Sequence, residues 1–203
     1  MGKKKYGEEI EHLFKKSPVI TFNSIERIIK NKKKKSQYAK QCIRNLIKTG
    51  KIKKITKGHY THHDDPSLAV FCLTPAYLGL QDAVSFHGLW EQETIPVIVT
   101  SQRVRQGIRI IMGMNVMVRR IDKKYVFGFE YCEQKGIYYP YSDIEKTFID
   151  MIYFRQTMDR EMMKSFREKM DAKKLKKYLA WYPKRMRERV KGKMEGMKEK
   201  ENK

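Results

Sequence analysis

The 203 residues carry 45 Lys and Arg against 23 Asp and Glu, a formal net charge of +22, and 40% hydrophobic residues, enough apolar surface to offset chain entropy and exclude wholesale disorder. The cysteines Cys42, Cys72 and Cys132 are odd in number, far apart and without a CxxC pair, so neither a disulfide framework nor a zinc site is expected and a reducing, cytoplasmic setting follows. The opening MGKKKYGEEIEHLF breaks into a charged amphipathic pattern unlike a signal peptide, and no apolar run approaches the ~20 residues of a membrane span.

The charge is uneven. Residues 1–60 hold 18 basic and 4 acidic side chains (+14), residues 61–157 hold 10 and 11 (−1), and residues 158–203 hold 17 and 8 (+9). A near-neutral middle between basic ends points to dedicated polyanion contacts, nucleic acid before an anionic membrane surface. In chain order, Tyr6, Ile10, Leu13 and Phe14 fall on one stripe of a first helix, which Ser17-Pro18 ends. Val19 to Thr21 read as a short strand. Asn23, with Glu26 three residues on, forms a capping box for a second helix whose buried face is Ile25, Ile28 and Ile29. Asn31 to Lys35 serve as a turn, and Ser36 caps a third helix reaching about Thr49, with Ala39, Ile43, Leu46 and Ile47 inward.

The opposite face of that helix carries Gln37, Tyr38, Lys40, Gln41, Arg44 and Lys48, amides and a guanidinium of the kind that make paired bonds to base edges. Gly50 closes the helix, Lys51 to Ile55 alternate like a half-buried strand, Thr56-Lys57-Gly58 turn, and His59-Tyr60-Thr61 return. This order is that of a winged helix-turn-helix, so residues 1–63 are expected to be a DNA-binding domain. Within it Gln37, Gln41 and Arg44 are the candidate base contacts and Lys40, Lys48, Lys53, Lys54 and Lys57 the candidate phosphate contacts. Ser36, Tyr38 and His59 complete the surface. The pair His62-His63 lacks metal-ligand spacing and is assigned to wing or linker; no metal or cofactor is expected.

Residues 64–182 are expected to form an α+β regulatory domain. Asp65-Pro66-Ser67 starts a helix, Gln81 to Leu89 form a helix closed by Gly88, and Ile95 to Thr100 a buried strand. Ile108 to Met112 and Val116 to Ile121 read as strands joined at Gly113-Met114-Asn115, Tyr125 to Tyr131 and Gly136 to Tyr141 as further strands, and Ile144 to Phe154 as a helix capped by Ser142 or Asp143. From Asp159 to Tyr182 one or two helices carry Met162, Met163, Phe166, Met170, Leu175, Tyr178, Leu179 and Trp181 as an apolar stripe. Residues 183–203 mix charge signs and read as a basic tail of marginal helicity, flexible rather than packed.

The blocks YLGLQDAVSFHGLW, IPVIVTSQRVRQ and GIYYPYSDIEKTFIDMIYF, behind LIKTGKIKKITKGHY, are similar to the AbiEi-type family of transcriptional regulators, the antitoxins of abortive-infection toxin-antitoxin systems, over about residues 8–157. The resemblance implies a repressor that binds an inverted repeat at its own promoter, as a homodimer, and in many members opposes a nucleotidyltransferase-like toxin. It makes Arg103, Arg105, Arg119 and Arg120 candidates for secondary DNA or partner contacts. Two alternatives stay open: an antitoxin acting mainly by binding its toxin, and a metal-dependent nuclease using Asp122 with Glu133-Gln134-Lys135. No glycine-rich phosphate loop, GxSxG or HExxH motif accompanies the latter, so a non-enzymatic protein is the expectation.

Overall fold

The computed structural model describes residues 6–29 and 35–199, with side chains to residue 195. The chain divides into two compact units, residues 1–72 with 109–115 and residues 73–108 with 116–203. It is a mixed α+β protein, in which helices accompany one three-stranded and one six-stranded sheet. Among the described residues no helix is long and apolar enough to cross a membrane.

The first unit starts with α1 (Gly7–Lys16), which buries Ile10 and Phe14 one turn apart. β1 (Ile20–Thr21) leads directly into α2 (Phe22–Ile28). The cap of α2 is Thr21 rather than Asn23: its hydroxyl accepts from the Ser24 backbone N–H at 3.1 Å, so the helix starts two residues earlier than the Asn23–Glu26 box implied. Residues 31–34, the expected turn, lie outside the described residues. α3 (Lys35–Lys48) already contains Ser36, which is therefore not its N-cap. β2 (Lys53–Thr56) and β3 (His59–Thr61) form an antiparallel hairpin, and β3 also pairs with β1, giving the order β1-β3-β2. Gly58 at φ +81 makes the hairpin turn, a conformation that a Cβ would strain. A bulge between Lys54 and Thr56 accompanies burial of Ile55 while Lys53 and Lys54 stay exposed. Ile10, Phe14, Ile20, Ile25, Ile29, Ala39, Ile43, Ile52 and Tyr60 make one core, drawn from α1, β1, α2, α3 and β3 with the residues that adjoin α2 and β2. Asp65-Pro66-Ser67 does start a helical segment, but as a 3-10 helix over Pro66–Cys72, with Asp65 Oδ1 accepting from Ser67 N–H at 2.8 Å.

The six-stranded sheet has the order β6-β7-β5-β4-β9-β8. Its strands are β4 (Ala76–Leu78), β5 (Val97–Thr100), β6 (Gly107–Ile111), β7 (Met114–Arg120), β8 (Phe129–Gln134) and β9 (Ile137–Ser142). β5 runs parallel to β7 and β4 parallel to β9, whereas β4–β5 and β8–β9 are antiparallel. Tyr125, read as strand, lies in a 3-10 turn over Lys123–Tyr125 that Asp122 caps. α4 (Gln81–Phe86) ends at Gly88, which takes φ +61.

α5 (Ile144–Tyr153) is the centre of this unit: every residue from Glu145 to Ile152 is buried. Phe148, Ile149 and Ile152 pack as their spacing predicts, but Lys146, Thr147 and Asp150 are buried too, because helices cover the flanks that an amphipathic helix leaves to water. α6 (Arg160–Lys169), α7 (Ala172–Leu179) and α8 (Lys184–Glu199) supply that cover. Met162, Phe166, Leu175 and Leu179 face the core as expected, whereas Trp181 is 66% exposed and its neighbour Tyr182 is buried in its place. The segment read as a flexible tail forms α8 through Glu199 and buries Met186 and Val190, one turn apart; residues 200–203 lie outside the described residues.

Candidate nucleic-acid interface

Ala39 and Ile43 are buried and fix the rotation of α3 on the first unit. At 100° per residue, Gln37, Gln41, Arg44 and Lys48 then share an arc about 60° wide on the far side, with Lys40 at its edge. All five are exposed. Ile47, expected inward, is 40% exposed, because it lies at the rim of the stripe that Ala39, Ile43 and Leu46 define. Ser36 is exposed in the first turn. Tyr38 lies on the other flank, with its ring edge-on to Tyr6 at 5.8 Å, so it is tied to α1 rather than grouped with the amide face.

Gln41 Nε2 donates to Asn45 Oδ1 at 3.1 Å, which adds Asn45, exposed one turn on, to the polar face. Sequence reasoning passed over Asn45; the signal was its i,i+4 spacing from Gln41.

On the hairpin, Lys54 and Lys57 are exposed, and His59 Nδ1 lies 3.3 Å from the Lys57 carbonyl. Lys53 is ion-paired with Asp64, so a phosphate must compete with a carboxylate for it. Lys51 is likewise paired with Glu11 of α1, pinning the start of the hairpin. The rings of His62 and His63 lie 3.9 Å apart, tilted by 35°, and His62 also meets Phe14 edge-on. Desolvation, with repulsion from His63, lowers the His62 pKa.

The arginines proposed from the resemblance do not form one surface. Arg103 and Arg105 are exposed in the loop after β5, while Arg119 and Arg120 are adjacent on β7, opposite Val99 and Thr100, and so point to opposite faces of the sheet. Arg119 is half-buried with its Nε unpartnered among the described residues. Asp122 and Glu133, the carboxylates of the nuclease alternative, are occupied locally: Asp122 accepts from Lys124 N–H at 3.1 Å, and Glu133 from the Tyr138 hydroxyl at 3.3 Å. Among the described residues no three His, Cys, Asp or Glu side chains are placed to hold a metal ion. Burial pushes the Cys72 thiol up to about 12, which keeps it protonated.

The chain matches no protein-family model and no curated protein sequence. Its fold is similar to the crystal structure of the RV2827C protein from Mycobacterium tuberculosis, with a TM-score of 0.57 at 12% identity over 94% of this chain and 76% of that one. At that identity the likeness is one of fold.

Proposed function

We propose that this chain is a sequence-specific DNA-binding transcriptional regulator, with the first unit acting as a winged helix-turn-helix. The observation that carries this reading is the outward face of α3, where Gln37, Gln41 and Arg44 stand exposed on one arc opposite the buried Ala39 and Ile43, beside a short antiparallel hairpin bearing Lys54 and Lys57. Helix and hairpin are the two parts such a module needs: the helix enters the major groove, and the hairpin and flanking lysines hold the backbone. Asn45 joins Gln41 as a second amide on the reading face. Lys40, Lys48, Lys54 and Lys57 hold phosphates, with Lys53 weaker because Asp64 already neutralises it.

The family resemblance supports a cytoplasmic autorepressor of the antitoxin type, acting on an inverted repeat as a homodimer and paired with a toxin. The test is fluorescence anisotropy of the full chain on a duplex from its own upstream region and on a shuffled duplex of equal composition. Preference for the upstream duplex at moderate salt, with log K falling linearly in log salt, is the expected result. Equal affinity for both would remove sequence reading and leave a non-specific cation. Co-purification with the product of an adjacent toxin gene, undiminished when Arg44 is replaced, would favour the second reading, an antitoxin that works chiefly through protein contact.

A further inference from the structure

The end of α5 and the first turn of α8 border a cavity of about 380 Å³ within the second unit, lined by Tyr125, Tyr153, Arg155, Tyr182, Arg185 and Arg189 among others. That volume falls in the range of small-molecule sites, about 300–1,000 Å³. Three guanidinium groups line it and no carboxylate does. Among the described residues none of the three arginines is ion-paired; Arg189 Nη2 donates instead to the Ile152 carbonyl at 2.8 Å, which fixes its guanidinium and leaves further N–H groups to give.

Tyr182 also lines the cavity, but its hydroxyl is closed to solvent. Tyr182 is 2% exposed, stacked on Tyr125 at 4.3 Å and 5°, and its hydroxyl has no partner among the described residues. A buried hydroxyl without a partner is costly, and such groups in a folded protein call for an explanation. Tyr182 is also directly followed by Pro183 and the start of α8, whose first-turn backbone N–H groups and dipole favour an anion. Arg155 occupies the position just past the α5 cap with φ +55, closing the helix through Gln156 N–H to the Met151 carbonyl at 2.8 Å. Glycine is the usual residue at that position, so the arginine sits there at a conformational cost.

We propose that this cavity binds a small phosphate-bearing molecule of mononucleotide size, with Arg155, Arg185 and Arg189 on the phosphate. Planar guanidinium groups suit phosphate oxygens, and the tyrosine rings give the remainder of the ligand an apolar wall. A duplex backbone would meet exposed cations without needing a concave site, which is why a small ligand is the better fit. The site uses residues of the second unit alone and does not depend on the DNA-binding reading of α3.

Isothermal titration of the full chain with inorganic phosphate, the four ribonucleoside 5′-monophosphates and a short non-cognate duplex tests this. At least one monophosphate should bind saturably at one per chain and more tightly than phosphate. Arg155→Gly and Arg185→Gln should each weaken it about tenfold or more. Without ligand, Arg155→Gly and Tyr182→Phe should melt no lower than wild type, because one relieves a left-handed residue and the other removes an unpartnered hydroxyl. Absence of heat with every small phosphate compound would overturn the proposal, as would wild-type affinity in Arg185→Gln. Loss of duplex binding alone in Arg185→Gln would assign these arginines to the DNA backbone instead. Arg44→Ala should leave nucleotide binding unchanged, so failure here and failure of the DNA-binding reading are separable.

Discussion

Lys146 and Asp150 lie one turn apart on α5, both fully buried, with their charges in direct contact. Lys146 Nζ also donates to the Tyr77 hydroxyl at 2.8 Å, and that hydroxyl donates to Asp150 Oδ2 at 2.6 Å, closing a three-membered network over which the Tyr77 and Phe127 rings are packed. Burial drives both ions toward their neutral forms, Lys146 down and Asp150 up, and each opposes that for the other. Removing one member should therefore be worse than removing both. Lys146→Met is expected to lower unfolding free energy by about 3–5 kcal/mol in urea, Lys146→Met with Asp150→Leu to recover most of it, and Tyr77→Phe to cost about 1–2 kcal/mol. Equal loss in the single and double variants would show that the pair is not coupled. In the sequence, Lys146 and Asp150 look like an ordinary surface pair at i,i+4; nothing local distinguishes a helix solvated on one side from one covered all round. Next to it, Asp143 caps α5 and also receives the Tyr178 hydroxyl at 2.7 Å and Lys174 at 3.1 Å, so the sequence located the cap but not the α7 residues that complete it. His62 gives a pH signature in the first unit. Its pKa is lowered on folding, so the neutral ring is the one the fold accepts, and the stability it contributes is present above the ordinary histidine range and lost as pH falls through it. Thermal melting of wild type should drop between about pH 7 and 5 more than that of His62→Gln, and parallel curves would contradict this.

At the scale of elements, the hairpin and α3 differ in what their loss should do. Lys54→Ala or Lys57→Ala is expected to weaken binding to every duplex alike and to reduce the salt slope by about one, measured by anisotropy across a salt series. Lys53→Ala should do less, since Asp64 competes for that ammonium. A loss confined to one sequence would contradict a backbone role. At the entry to α2, Thr21→Ala should cost about 1 kcal/mol and Asn23→Ala almost nothing, the reverse of what the local S/T/N-x-x-E pattern suggests. α1, α3, the hairpin, β5 and α5 were legible because apolar spacing and turn glycines agree there. α8 was not, although Met186, Val190 and Met194 recur every fourth residue; three apolar side chains among so many charges look too few until the core they face is known.

For the whole molecule, the alternation of strands and helices indicated an α+β chain, but it carried no information on the order β6-β7-β5-β4-β9-β8. Parallel pairing of β5 with β7 and of β4 with β9 joins strands that are not neighbours in the chain, so it is decided by packing and not by turn chemistry. The cavity between α5 and α8 was invisible for the same reason: its arginines come from segments 30 residues apart, one at a helix end and two in the segment read as a tail. The charge division was legible throughout, and the strongly basic first sixty residues are the ones that carry the α3 face. Whether that face reads bases or merely attracts phosphates is decided by the affinity of Arg44→Ala for the upstream duplex and for its shuffled counterpart, measured side by side at one salt concentration. The expected result is a loss of about 1–3 kcal/mol on the upstream duplex with a much smaller loss on the shuffled one. An equal loss on both, or none on either, would contradict base reading by α3.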